Sequence, residues 1–184
     1  MPKVLVPLAQ GCEELEAITV IDLLRRAEID VVTAGLDDEP IVCSRGTMMI
    51  ADTTIDGALD DDYDMVVLPG GLPGADNLEK DSRIQGLLVN MSNNDKYIAA
   101  ICAAPKVLAT AGLLVDRKVT CYPGALKDYA IDGLVYEEKP VVIDGKIITS
   151  RGPGTAMDFT LELIEILTTQ AKRQEVESAL QRPA

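Results

Sequence analysis

The most informative property of this sequence is a residue type that it lacks. Its 184 residues include no histidine, the side chain that ordinarily changes its charge between about pH 5 and 8. A Ser-His-Asp triad, a Cys-His dyad and an imidazole metal ligand are therefore all excluded. Any catalysis has to use cysteine, carboxylates, lysine, tyrosine or backbone dipoles.

The chain is also short of positive charge. Its 17 lysines and arginines oppose 30 aspartates and glutamates, which leaves a net charge of -13. Such a charge repels a phosphate backbone, and the basic residues are scattered instead of clustered, so we expect no nucleic-acid partner. The acidic run at 59–64 lacks the spacing of metal ligands. We interpret it as a solvated loop and expect no metal site.

Long hydrophobic runs and paired cysteine motifs are missing as well. The apolar stretch at 3–8 is too short for a signal peptide and is soon followed by acidic residues. Residues 97–115 are interrupted by Pro105, Lys106 and Gly112, so strand, turn and helix describe them better than a membrane span. The four cysteines form no C-x-x-C pair. We expect a cytoplasmic protein with reduced thiols and no membrane partner.

Short apolar runs alternate with longer amphipathic patterns, which is typical of a parallel sheet with helical crossovers. Because a domain has about 150 residues, we expect one domain over 1–184, an α/β sandwich of three layers with a mostly parallel sheet. Residues 40–50 alternate, and Asp144-Gly145 is a two-residue hairpin signal, so small antiparallel additions are predicted. The charged segment at 171–180 has one apolar edge and is predicted to be a helix. Functional residues should follow the strands.

Cys102 follows the buried strand YIAAI and precedes a helix that begins near Pro105. Small neighbours let the backbone double back tightly there, as glycines do in hydrolase elbows. The positive end of the helix favours the thiolate, so we expect the thiol pKa to fall from about 8.5 to below about 7 and the adjacent amides to stabilise an oxyanion. The alternative is an ordinary buried cysteine, which is our interpretation of Cys12, Cys43 and Cys121.

Two further loops follow predicted strands. In L-P-G-G-L-P-G (68–74), Gly70 and Gly71 allow close approach to a ligand, and Gly71 could donate an oxyanion N–H, although such pairs are also common in structural turns. In Q-G-C-E-E-L-E (10–16), helix capping explains most of the acids. Glu16 lies near the apolar side of that helix. Its carboxyl is therefore expected to be partly buried, to hold a proton and to hydrogen-bond a thiolate.

The motifs in these loops are part of a resemblance to a known family that spans nearly the whole chain. The sequence resembles the DJ-1-like branch of the ThiJ/PfpI superfamily. The matching motifs are G-C-E-E-L-E-A (11–17), C-S-R-G (43–46), V-V-L-P-G-G (66–71), A-A-I-C-A-A-P (99–105) and T-S-R-G-P-G-T-A (149–156). The resemblance implies a flavodoxin-like fold that usually forms a homodimer.

The same resemblance implies roles for individual residues. Cys102 matches the nucleophile and Glu16 its partner acid. Gly71 and Ala103 match the residues whose amides bind the oxyanion, and Gly70 belongs to the same substrate-binding loop.

Four supporting residues also follow from the resemblance. Arg45 matches an arginine that reaches the active site from the neighbouring subunit, and Arg26 is expected to support the same interface. Pro153 belongs to the T-S-R-G-P-G-T-A motif. The sequence departs from the family where many members have T-x-H-P, because Tyr122 stands at the histidine position. That departure argues against the peptidase activity of another branch.

The resemblance implies cofactor-free chemistry on reactive carbonyls. Cys102 would attack the aldehyde of methylglyoxal or glyoxal, and Glu16 would move a proton between the two carbons, which is glyoxalase III activity. The same residues could reverse early glycation adducts, the deglycase activity attributed to the family. An alternative of another class stays open: a redox-responsive stress protein or chaperone whose Cys102 is oxidised to sulfinate, with little turnover.

Overall fold

The computed structural model describes residues 1–182. Its strands are β1 (Lys3–Leu8), β2 (Asp30–Gly35), β3 (Ile41–Val42), β4 (Met48–Met49), β5 (Thr53–Thr54), β6 (Met65–Leu68), β7 (Tyr97–Ile101), β8 (Lys118–Val119), β9 (Val135–Tyr136), β10 (Val141–Asp144) and β11 (Ile147–Ser150). Its α-helices are α1 (Glu14–Arg26), α2 (Ile55–Ala58), α3 (Gly74–Lys80), α4 (Ser82–Asn93), α5 (Pro105–Thr110), α6 (Ala156–Leu167) and α7 (Gln170–Ala179), and a 3-10 turn spans Pro153–Thr155.

A seven-stranded sheet in the order β10-β11-β7-β6-β1-β2-β5 forms the centre of the described chain. Its neighbouring strands are parallel, except that β10 and β11 are antiparallel. From β1 the chain moves outwards through β2 to β5, and then returns to place β6 on the other side of β1. Open α/β sheets bind ligands at such a reversal, beside the carboxyl ends of the strands.

Both faces of the sheet are buried. Successive residues of a strand point to opposite faces, and in β1 the side chains of Val4 and Val6 join a core with α1, α6 and α7. Leu5, between them, joins a second core with α2, α4 and α5. This arrangement confirms the predicted α/β sandwich of three layers. It also explains the continuous apolar runs of the central strands, because a strand covered on both faces has no polar side.

The predicted antiparallel additions are present, with one correction. β10 and β11 form a hairpin in which Asp144 pairs with Ile147, so the turn is Gly145-Lys146, one residue later than the sequence indicates. Asp144 is held at the end of its strand because its carboxylate accepts the Lys118 N–H at 2.8 Å. β3 and β4, within the alternating residues 40–50, form a separate antiparallel pair.

The other predicted segments also agree with the structure. Residues 97–115 contain β7, a tight turn and α5, and across residues 1–182 we find no helix long and apolar enough to cross a membrane. The acidic run at 59–64 forms the connection between α2 and β6. The charged segment near the end forms α7, and its Val176 is buried in the core with α1 and α6.

Candidate active site

Three loops meet at the carboxyl edge of the central strands. β1, β6 and β7 are neighbours in the sheet, and each is followed by one of the loops that the sequence singled out. The first leads into α1, the second carries Gly70 and Gly71, and the third is the turn at Cys102. Because parallel strands end at the same edge, loops distant in sequence come together there.

Cys102 has the backbone conformation of a tight elbow. Its φ is 64°, in the left-handed region that residues other than glycine seldom adopt. Its N–H donates to the Ser150 carbonyl at 3.0 Å, and its own carbonyl accepts the Tyr122 N–H at 2.8 Å. Hydrogen bonds from two other segments therefore hold the elbow in this conformation.

Gly70 lies against both Cys102 and Glu16. A Cβ at position 70 would lie 2.7 Å from Cys102 Cβ and 2.9 Å from Glu16 Oε2, so a side chain there would push the two apart. Gly71 has a φ of 87°, and a Cβ on it would lie 2.4 Å from the Glu13 nitrogen. The N–H groups of Gly71 and Ala103 face the Cys102 sulfur and favour its thiolate.

Glu16 is completely buried. Its Oε2 accepts the Gly70 N–H at 2.8 Å, whereas Oε1 has no hydrogen-bond partner within the described residues. Burial raises the pKa of Glu16 to about 7, although the hydrogen bonds with Gly70 and Cys102 act in the opposite direction. Oε1 is therefore the oxygen best placed to carry a proton near neutral pH.

The prediction of a lowered thiol pKa at Cys102 is wrong. Burial, reinforced by the negative charge of Glu16, raises the pKa of Cys102 to about 12. The N–H groups of Gly71 and Ala103 lower it, but they do not outweigh desolvation. In addition, α5 has only six residues, so the dipole at its N-terminus is a short one.

Glu16 and Cys102 form a coupled acid pair. Each affects the pKa of the other, so the two protons are lost in steps that belong to the pair. The first loss falls near pH 7. Above that pH the pair carries one proton and one negative charge, and one of its forms is a Cys102 thiolate beside a neutral Glu16.

The three acids of the first loop have different tasks. The Glu13 carboxylate caps α1 by accepting the Glu16 N–H at 2.9 Å. The Glu14 carboxylate accepts the Arg45 N–H at 3.1 Å and the Ser44 hydroxyl at 3.3 Å. Glu13 therefore caps α1, and Glu14 anchors the loop between β3 and β4. Of the three acids, only Glu16 lies in the site. The anchoring role was not visible in the sequence, because it depends on a contact between distant segments.

Two of the predicted supporting residues border the elbow. The N–H of Tyr122 bonds the Cys102 carbonyl, its side chain is half exposed, and a Cβ at Gly152 would lie 3.4 Å from its ring. Pro153 follows directly and begins the 3-10 turn. Tyr122 and Pro153 are thus at the rim of the site.

The two predicted supporting arginines have local partners within this chain. The Arg45 guanidinium donates to the Ser44 carbonyl at 3.3 Å, and Arg26 forms an ion pair with Asp22 at 2.7 Å. Both side chains are exposed. A role for them at an active site requires a second subunit and stays a prediction.

A cluster of charged residues that anchors the elbow helix was not anticipated. Lys106, in the first turn of α5, contacts Asp76 and lies 3.2 Å from Glu79, both on α3. Glu79 also accepts hydrogen bonds from the hydroxyls of Thr110 and Tyr129. Lys106 itself could have indicated this cluster from the sequence. A cation in the first turn of a helix is unfavourable beside the positive end of the helix dipole, and acidic partners offset that cost.

Comparison with known proteins identifies close relatives. Residues 2–166 match the DJ-1/PfpI family. The chain is 44% identical over 178 residues to protein dj-1beta of Drosophila melanogaster, covering 96% of this chain and 95% of that protein. It is 35% identical over 158 residues to a glutathione-independent glyoxalase of Caenorhabditis elegans, covering 86% and 84%. The fold matches oxidized DJ-1 of Toxoplasma gondii with a TM-score of 0.94, at 38% identity and covering 100% of both chains.

Proposed function

The chain belongs to the DJ-1/PfpI family, and we propose that it is a cofactor-independent glyoxalase that converts methylglyoxal or glyoxal into a hydroxy acid. The observation that carries the proposal is the buried Glu16 carboxyl beside Cys102, one oxygen of which has no hydrogen-bond partner among the described residues. This chemistry needs a nucleophile and a proton carrier in contact. The name of the C. elegans relative, a glutathione-independent glyoxalase, supports the class of substrate.

The first step is addition of the Cys102 thiolate to the aldehyde carbon of methylglyoxal. A carbon–sulfur bond forms, and the carbonyl electron pair moves onto oxygen. The N–H groups of Gly71 and Ala103 face the sulfur. As the sulfur loses its charge, they can donate hydrogen bonds to the new oxyanion and stabilise it. Protonation of the oxyanion produces a hemithioacetal.

The second step moves a proton between the two carbons of the substrate. Glu16 removes it from the former aldehyde carbon to form an enediol, and returns it to the neighbouring carbon to form a thioester. Its pKa of about 7 suits a group that must both accept and donate a proton near neutral pH. Water then hydrolyses the thioester, which releases lactate and the Cys102 thiol. One water is consumed, and no cofactor or oxidant is required.

The same site fits early glycation adducts as alternative substrates. In these adducts the former aldehyde carbon carries a hydroxyl and the glycated amine or thiol. When that group leaves with the hydroxyl proton, its bond to carbon breaks and the aldehyde forms again, so attack by Cys102 and proton transfer by Glu16 can follow as above. Peptide hydrolysis fits less well. The half-exposed Tyr122 stands where a histidine would be needed, and the chain has no other histidine to replace it.

We further propose that the active form is a homodimer. On α1, Leu15 and Ile18 are 50% and 47% exposed, and Met48 and Ile50, in and after β4, are 66% and 85% exposed. Exposed apolar patches of this kind favour an interface with another protein surface. Arg45 lies in the loop between β3 and β4, next to this patch, where it could reach the site of a second subunit.

A second candidate function is redox sensing through Cys102. The solved structure of the T. gondii relative, which has the same fold, is of its oxidized form. A sulfinate on Cys102 could accept a hydrogen bond from the protonated Glu16 carboxyl. In that case Glu16 would stabilise the oxidised sulfur, and turnover of dicarbonyls would be negligible.

The decisive experiment measures lactate formation from methylglyoxal by wild type, Cys102→Ser and Glu16→Gln. Cys121→Ala serves as the control, because Cys121 is also buried but lies in the core behind the elbow. We expect turnover in wild type and in the control, and its loss in the other two variants. Equal rates in all four proteins, or substrate loss without lactate, would contradict the proposal and favour the redox function.

A further inference from the structure

A pair of thiols lies beside the site and takes no part in the chemistry at Cys102. The sulfurs of Cys12 and Cys43 are 3.7 Å apart. Both cysteines are free and buried, with exposures of 0% and 4%. They are 31 positions apart in the chain, so the contact is created by the fold.

The backbone around both cysteines is held in register. The Gly11 N–H donates to the Val42 carbonyl at 2.8 Å, and the Ser44 N–H donates to the Cys12 carbonyl at 2.8 Å. The two segments therefore run side by side at the cysteines. A disulfide bond is about 2.05 Å long, so the sulfurs would have to approach by about 1.7 Å from their present separation. Rotation of the two short side chains, together with a small shift of the Cys12 backbone, would supply this movement.

We propose that Cys12 and Cys43 are a redox-active dithiol that closes to an intramolecular disulfide when the protein meets hydrogen peroxide. Closure would link the loop before α1 to the segment that leads from β3 to Arg45. The proposal does not depend on turnover at Cys102, and it replaces the interpretation of these two cysteines as ordinary core residues.

The reaction is a two-electron oxidation. One thiolate attacks a peroxide oxygen, the O–O bond breaks, and a sulfenic acid and one water are produced. The second thiolate then attacks the sulfenic sulfur and displaces its oxygen as a second water once protonated. In total the two thiols lose two protons and two electrons, and the peroxide is reduced to two waters.

Closure would be transmitted to the site at Cys102 through the backbone. A Cβ on Gly71 would lie 2.7 Å from the Cys12 carbonyl carbon, and a Cβ on Gly74 would lie 2.5 Å from Cys12 Cα. Such close approach leaves Cys12 no room to move alone. Displacement of Cys12 therefore shifts the loop whose Gly71 N–H faces the Cys102 sulfur.

The test uses the full chain with Cys102→Ser, which removes the third reactive sulfur and leaves Cys12, Cys43 and Cys121. Because burial raises the pKa of the Cys12 and Cys43 thiols, little thiolate is present, and the exposure to peroxide has to be prolonged. Free thiols are then counted in denaturant. We expect the count to fall from three to one per chain, the intact mass to fall by two hydrogens, and a reducing agent to restore all three thiols.

Matched variants in the same background identify the partners. With Cys12→Ala, or with Cys43→Ala as an independent second variant, the two remaining thiols should survive. With Cys121→Ala, both remaining thiols should be lost, because Cys121 has no cysteine sulfur within hydrogen-bonding distance in the described chain. Peptide mapping without reduction should recover Cys12 joined to Cys43.

Several outcomes would overturn the proposal. They are retention of all three thiols, a gain of oxygen in place of a loss of hydrogen, a disulfide that joins two chains on a non-reducing gel, and a link that includes Cys121. Circular dichroism of each variant before oxidation establishes that the comparison is made between folded proteins.

Discussion

Replacement of Glu16 by glutamine should change how the stability of the protein depends on pH. The pKa of Glu16 rises from 4.5 to about 7 on folding, mainly because the carboxyl is buried. At about 1.4 kcal/mol for each tenfold change in the ionisation constant, ionisation of this group costs the folded state about 3 kcal/mol. Glutamine has the same shape and no charge, and its amide oxygen can still accept the Gly70 N–H.

The sign follows from proton binding. Between about pH 4.5 and 7 the folded protein holds the Glu16 proton more tightly than the unfolded chain does, so this group makes the protein less stable as pH rises through that window. Above the folded pKa the cost is fully present. Glu16→Gln should therefore gain about 1 kcal/mol over wild type at about pH 5 and about 3 kcal/mol at about pH 8.

Urea unfolding followed by far-ultraviolet circular dichroism measures this difference, since the chain contains no tryptophan for fluorescence. Cys102→Ser is the control, because it leaves Glu16 buried and should keep most of the wild-type pH dependence. The reasoning is refuted if Glu16→Gln and wild type differ by the same free energy at both pH values, because burial would then not be what raises the Glu16 pKa.

Three other predictions concern the site and the interface. Gly70→Ala should lower the unfolding free energy by about 1–3 kcal/mol and reduce lactate formation, because its Cβ would overlap Cys102. The control Gly86→Ala changes an exposed helix position with open space around it and should raise the unfolding free energy by about 0.5–1 kcal/mol. Equal effects of the two variants in urea unfolding would count against the close approach at Gly70. The kcat/KM for methylglyoxal should rise with pH through about 7, where the Glu16 and Cys102 pair loses its first proton, and a rate that is flat from about pH 5 to 9 would show that this pair does not control the reaction. Ile50→Glu should convert a dimer to a monomer in analytical ultracentrifugation, since Ile50 is 85% exposed and apolar. If the wild-type protein is already a monomer, Arg45 cannot contribute to the active site of a second subunit.

The layers of the fold could be predicted from the sequence because their causes are local. Strands such as β6 and β7 are covered on both faces, and a short run of apolar residues between turn signals records that burial directly. The amphipathic pattern of α1 and the small residues around Cys102 are likewise properties of neighbouring positions. The turn between β10 and β11 lies one residue later than the sequence predicts. Asp144 ends β10 and accepts a hydrogen bond from Lys118, a contact with a distant segment that the local pattern does not show.

The structure brings the predicted residues of the candidate site together, but their catalytic roles stay predictions, and the predicted pKa of Cys102 was wrong. Cys102, Glu16, Gly70 and Gly71 each follow a strand or begin a helix, and the resemblance carried their candidate roles. The shift in the pKa of Cys102 was predicted in the wrong direction. Desolvation of the sulfur depends on all the residues that bury it, whereas the sequence near Cys102 shows only the adjacent helix terminus.

Chain order and local pattern were thus enough to determine the α/β architecture and the loops from which a cysteine-dependent site could be built. Tertiary structure alone decided that Glu16 is completely buried, with one oxygen that has no hydrogen-bond partner within residues 1–182, that Gly70 lies against both Glu16 and Cys102, and that Cys12 contacts Cys43. The physical reason is common to all three. Burial, charge coupling and sulfur contact depend on distances between residues far apart in the chain, and those distances exist only after the sheet has brought the ends of β1, β6 and β7 together.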